Sequence, residues 1–363
     1  MTGQPGTLPR DSASPESATL LIRSAAMAGA REAARLRARA ADWRRDTASR
    51  LDDRMRALLD HLLTGMVGEV EARLREDASR MLVSRGDRAG AARLRQARPS
   101  AAQRLERAGL LANEPLLAEL FARLRQDLIA ERLPVRADDD EPSLLARLAQ
   151  VGDPTVAAAA RGLLVAESRR REALAMGDVT ASDLPAELHQ QLVWRVAAAL
   201  RDGDTSADRA LVEAAGRILA GYDEGERADA QAMRLAFAID ARPQELPALL
   251  DEAIGDRRLS LVFAALALSA QVPFDVVRSL AVEPDDERWW LLLRAVDLDP
   301  LTMARLALAL ASADPRRGDQ DLPTLLDAAN AVSAEEARAE LAVLRLPPDF
   351  RAAVDALGTG EAA

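Results

Sequence analysis

The stretch Asp256–Ala311 reads DRRLSLVFAALALSAQVPFDVVRSLAVEPDDERWWLLLRAVDLDPLTMARLALALA, and it decides the fold. Its apolar residues recur at helical spacing in four short runs, three of them opened by Pro273, Pro284 and Pro300. Proline fits a first helical turn because the amide it lacks has no intrahelical acceptor there. The run from Asp256 to Ala270 is apolar nearly all round, the pattern of a helix enclosed by neighbours. Within the stretch, Trp289 shares a face with Leu292, Leu293 and Val296 and reads as core. Trp290 lies about 100° further round, towards Arg294 and Asp297, and is the candidate there for a partner-binding residue.

The same punctuation extends outward. Pro142, Pro154, Pro185, Pro243, Pro273, Pro284, Pro300, Pro323 and Pro348 each head an apolar-periodic run, several beside an acidic residue suited to capping. From Pro243 onward the spacing resembles that of helix-turn-helix repeats, though irregularly. Aromatics are only 3% of 363 residues, and alanine, leucine, arginine and glutamate dominate. These are strong helix formers, so an all-α fold follows. Its expected form is an N-terminal long-helix hairpin or bundle followed by an irregular α-solenoid-like helical repeat array. The expected segments are a disordered tail over 1–14, an Arg-rich helical region over 15–133, an acidic linker over 134–141, a repeat domain over 142–357 and a flexible tail over 358–363.

Ser14-Pro15 is a helix start, and no proline follows until well past Ser84. That predicts one long helix, or two with a break near Asp42–Ser49. Leu51, Leu58, Leu62 and Val70 belong to apolar stripes along it. Such a stripe packs within the chain or forms a homodimer seam. Helices are also expected over Ala101–Leu111 and Pro115–Arg132.

All 48 basic residues are arginine, because the chain has no lysine; it has no cysteine and two histidines. Disulfides, thiolate metal sites, Walker-type phosphate lysines and Schiff bases are therefore excluded. The net charge of −10 is uneven: Leu20–Arg107 holds 20 Arg against 12 acids, net +8, and Gly109 onward holds 27 against 44, net −17. No apolar run approaches a membrane span and no secretory signal is evident, which suggests a cytoplasmic protein.

Functional signals are few. Arg44, Arg45, Arg169, Arg170 and Arg171 form basic clusters, candidates for partner binding. Nucleic-acid binding through the N-terminal arginines is an alternative reading, but such a surface needs stacking aromatics as well, and ten aromatics in the whole chain argue against it. Glu187 and His189 are two apart and point to different faces, so no metal site or cofactor is expected; His189 reads as a helix-surface residue. Among the carboxylate pairs, Asp285–Glu287 is explained by a first helical turn after Pro284 and Asp138–Glu141 by the acidic linker, and with few aromatics for a sugar platform the chain reads as non-enzymatic.

Two resemblances add to this. Asp183–Arg201 (DLPAELHQQLVWRVAAALR) with Leu259–Leu310 resembles an uncharacterised bacterial all-helical family, a domain of unknown function with HEAT-like helical repeats. The resemblance covers mainly Ser143–Leu310 and carries no functional residues; it implies a cytoplasmic scaffold for protein–protein interaction. His61-Leu62-Leu63-Thr64-Gly65 looks like the His-x-Leu-Lys-Gly core of histidine phosphotransfer domains. That implies a phosphoacceptor at His61, but Thr64 stands where those domains carry lysine.

Overall fold

The computed structural model describes residues 16–25, 27–28, 53–96, 99–134, 142–176, 181–284, 286–317, 321–351 and 353–354. The chain is all-α, and among the described residues there is no strand. Helix α1 covers residues 16–25. Then come α2 (Asp53–Ser84), α3 (Arg88–Gln96), α4 (Ala101–Arg107), α5 (Glu114–Arg132), α6 (Leu144–Leu148), α7 (Pro154–Met176), α8 (Ala186–Ala199), α9 (Thr205–Ala220) and α10 (Ala228–Ile239). The remainder is α11 (Leu246–Gly255), α12 (Leu259–Ala270), α13 (Phe274–Val282), α14 (Arg288–Ala295), α15 (Pro300–Ala313), α16 (Leu322–Ala331) and α17 (Ala334–Glu340).

The helix starts follow the sequence signals. Asp153 caps α7, Asp204 caps α9, Asp299 caps α15 and Asp321 caps α16, each accepting backbone amides of the first turn. Ser333 and Glu336 form a reciprocal capping box at the head of α17. Asp256 closes α11, so the apolar helix begins at Leu259, three residues later than expected. Arg257 takes a positive φ of 60° in the three-residue joint between α11 and α12.

Several helix C-termini are closed by arginine side chains. The last carbonyls of a helix have no intrahelical donor and sit at the negative end of its dipole. Arginines from elsewhere in the chain supply the donors. Arg338 bonds Ala295 O at the end of α14 at 2.8 Å, Arg294 bonds Val332 O beyond α16 at 2.8 Å, and Arg257 bonds Leu133 O beyond α5 at 2.7 Å. Arg317 and Arg316 reach Ala281 O and Val282 O at the end of α13. A planar fork can bond a carbonyl and a carboxylate together, which a lysine ammonium does less well; Arg316 also holds Asp314 at 2.6 Å.

The chain divides into two compact units. One comprises the described residues between Ala34 and Leu128 and between Asp139 and Ile239. Here α2 packs on α3, α4, α8 and α9, and α7 packs on α6 and α10. Leu62, Val70, Leu74, Val193, Val196, Leu211 and Ile218 share one core. The other unit comprises the described residues up to Ala33, Ile129–Asp138 and Asp240 onward. There α12 packs on α11, α13 and α14, while α14 also meets α16 and α17. Ten of the twelve residues of α12 are buried.

These units correct two expectations. The expected boundary between an N-terminal region and a repeat domain does not separate them, because the α2 stripe finds its cover on α8 and α9, more than a hundred residues away. The acidic linker beyond Pro134, both tails and the Asp42–Ser49 break lie outside the described residues. Leu62 and Val70 are buried by the chain's own helices and Leu58 is partly buried against the same core, so this seam needs no second copy; Leu51 lies outside the described residues. Among the described residues no single helix is long and apolar enough to cross a membrane; α12 and α13 would pass only as a pair bent by 119°.

Leu74 is fully buried where α2 meets this core. Leu74→Ala is expected to cost about 2–5 kcal/mol of stability, read as a lower urea midpoint with an unchanged denaturant slope; an unchanged midpoint would show that α2 does not carry this core.

Candidate functional site

The unit built on α2 and α7–α10 contains a buried charge network. On α5, Glu119 and Arg123 are one turn apart and bond at 2.7 Å. Arg227, preceding α10, holds Asp229 Oδ2 at 3.1 Å and lies 3.8 Å from Glu119. Arg123 closes the square at 3.7 Å from Asp229. All four side chains are at most 11% exposed. The backbone carbonyl of Asp183 accepts from both arginines, from Arg227 at 3.0 Å. Burial pulls the Arg123 guanidinium down, but Glu119, Asp229 and Asp183 outweigh it and leave its pKa raised. One turn along α5, Asp127 pairs with Arg170 of α7 at 2.9 Å. Burial raises the Asp127 carboxyl, opposed by the Arg170 charge and hydrogen bond.

Above this network α7, α8 and the turn after α9 enclose a cleft of about 450 Å³. That volume lies within the range of small-ligand sites. One wall is a ring pair: His189 of α8 stacks on Tyr222 with centroids 4.4 Å apart and planes 18° apart. Tyr222 donates its hydroxyl to Leu184 O at 2.7 Å, and burial pushes its pKa up to about 12. His189 is 3% exposed and its Nδ1 has no hydrogen-bond partner. Burial, and then the nearby charge of Arg73, lower its pKa, so the imidazole is neutral near pH 7. The remaining walls carry both signs of charge, from Arg73, Arg169 and Arg170 to Glu172, Asp183 and Glu226.

A second, shallower groove of about 470 Å³ lies on the outward face of α8, lined by Glu187, Gln190, Gln191, Trp194 and Arg195. Trp194 is 38% exposed.

The residues singled out from the sequence are distributed as follows. Trp290 is 2% exposed, which removes it as a candidate partner-binding residue. Its eight-residue helix α14 is covered by α12, α13, α16 and α17 on several sides, so a 100° rotation still points into protein. Trp289 is buried as expected. Arg44 and Arg45 lie outside the described residues. The Arg169–Arg171 run is divided: Arg170 is buried on Asp127, Arg169 meets Glu226 at 3.0 Å, and Arg171 is exposed and reaches Glu167 O on its own helix. Partnered guanidiniums of this kind build the cleft wall. His61 is exposed on α2, with Thr64 exposed one turn on. His189 is buried, not on the helix surface as expected. It shares a face with Leu192, Val193 and Val196, and that 3–4 spacing was readable in the sequence. Trp194 was also legible as the one aromatic on a face otherwise made of Glu187, Gln190 and Gln191. Among the described residues no cluster of three or more His, Asp or Glu side chains has the arrangement of a metal site.

Compared with models of known protein families, with curated proteins and with solved structures, the chain finds no match.

Two outcomes follow from this geometry. Arg123→Ala leaves two buried carboxylates short of a cation and is expected to cost about 3–5 kcal/mol; a loss under about 1 kcal/mol by chemical denaturation would show the square to be solvated. For His189, the folded pKa lies below the unfolded one, so the unfolded chain binds more protons as the pH falls. Its contribution is complete above about pH 6.5 and declines below that towards the folded pKa. The wild type should lose more stability than His189→Gln between pH 7.5 and 5, and equal losses would contradict the depressed pKa.

Proposed function

We propose that this chain is a non-enzymatic helical scaffold that binds a protein partner through the outward face of α8, with Trp194 as the anchor. The observation that carries this reading is a half-exposed tryptophan on a helix whose opposite face is locked into the core. Tryptophan and arginine dominate binding hot spots, because a large flat side chain buries much area at little entropic cost. Gln190, Gln191, Arg195 and Glu187 around it form a rim of hydrogen-bonding groups. Arg195 is held in place by Leu110 O at 3.2 Å and Gln191 at 3.4 Å. Cytoplasmic location and a HEAT-like order of the helices after Pro243 belong to the same proposal, and rest on the sequence pattern.

Trp194→Ala in the full chain is expected to weaken capture of the partner from a cytoplasmic extract at least about tenfold, or about 2 kcal/mol. Phe237→Ala, at a 74% exposed site elsewhere in the same unit, serves as control and should change nothing. An unaltered set of captured proteins with Trp194→Ala sinks the α8 face as the binding surface.

A second reading is favoured by the exposure of His61 on a long helix, the setting of a phosphotransfer histidine. It expects acid-labile phosphate on the chain when a phosphorylated response regulator is supplied. Labelling that persists in His61→Gln dismisses it.

A further inference from the structure

The cleft between α7, α8 and the turn after α9 is separate from the Trp194 groove and has the features of a ligand site. Its floor is rigid, since the Tyr222 hydroxyl is tied to Leu184 O and His189 lies on the buried side of α8. The His189 imidazole lines the cleft while its buried Nδ1 has no protein partner and is open to a donor from outside the chain. The charges on the walls are mixed but not all committed to one another. Arg170 is occupied by half-buried Asp127. Arg169 and Glu226 face each other at 3.0 Å but are 60% and 61% exposed, so this pair is weak and exchangeable. Arg73 is 56% exposed and 3.5 Å from Glu69, a loose contact. On the acidic side stand Glu172 and Asp183.

A bare anion would meet the carboxylates and a bare cation the guanidiniums. A ligand with both charges satisfies each wall. We propose that this cleft binds a small zwitterion of the amino-acid class, its carboxylate towards Arg73 and Arg169 and its ammonium towards Glu172 and Asp183. A guanidinium fork matches a carboxylate in two-point contact, and the neutral His189–Tyr222 pair offers a flat surface to an aliphatic or planar side chain. The cleft volume leaves room for that side chain.

The two-histidine composition makes the test direct, because the His61→Gln protein has one imidazole signal, that of His189. Its ring resonances would be followed at pH 7.5 while L-arginine, L-glutamate and L-leucine are added separately, with acetate and methylammonium as single-charge controls. The expected result is a saturable shift with at least one amino acid, none with either control, and affinity at least tenfold weaker in Arg73→Gln and Glu172→Gln. Both substitutions change side chains at the cleft wall outside the buried square, and circular dichroism confirms their folding. Absence of a shift with all three amino acids, an equal response to acetate or methylammonium, or unchanged affinity in both variants would overturn the proposal.

Discussion

The square of Glu119, Arg123, Arg227 and Asp229 is the constraint on which the α2–α10 unit depends. Two cations and two carboxylates are removed from water together, and the desolvation of each is offset only while the other three are in place. The square joins α5 to the start of α10, and through the Asp183 carbonyl it holds the entry to α8. That entry sets the position of Leu184, whose carbonyl fixes Tyr222 and with it the ring that stacks on His189. The cleft above is therefore shaped by a polar core beneath it. An apolar replacement of similar volume could equal it in stability, but would not supply donors to the Asp183 carbonyl.

The same chemistry recurs at smaller scale. A chain of many short helices has many C-terminal carbonyls to satisfy, and each is a charge-complementary site for a cation. With arginine as the only basic side chain apart from histidine, one residue type serves as helix stopper, ion-pair partner and cleft wall. The guanidinium's several donors in one plane make this economy possible, because a single side chain can bond a carbonyl and a carboxylate at once. Arg278 shows the apolar side of the same group, buried with its guanidinium 5.8 Å from the Phe274 ring centroid.

Most helix boundaries were legible, since caps and prolines act within one turn and leave their mark on adjacent residues. Ser84 ends α2 and Pro154 opens α7 where the sequence signals place them. Half of the site was legible in the same local way: the 3–4 spacing that buries His189 with Leu192 and Val196, and the polar stripe that exposes Trp194. The Glu119–Arg123 pair was readable as neighbours on one helix face. Its completion by Arg227 and Asp229 was not, because no local pattern links residues about a hundred positions apart. Trp290 shows the limit of that reading, since periodicity on one short helix sets its angle but not how many neighbours surround it.

By itself, then, the sequence determined that the chain is all-α, where several of its helices begin, and that lysine and cysteine chemistry is absent, since these follow from composition and from interactions within a turn. The tertiary structure alone decided that the α2 stripe is covered by α8 and α9 and that the Arg169–Arg171 run is committed mainly to carboxylates. It also decided that His189, Tyr222 and three arginines share one cleft. The physical reason is that burial and ion pairing are properties of surfaces brought together from distant segments, and a helix's own spacing fixes only which residues it can offer.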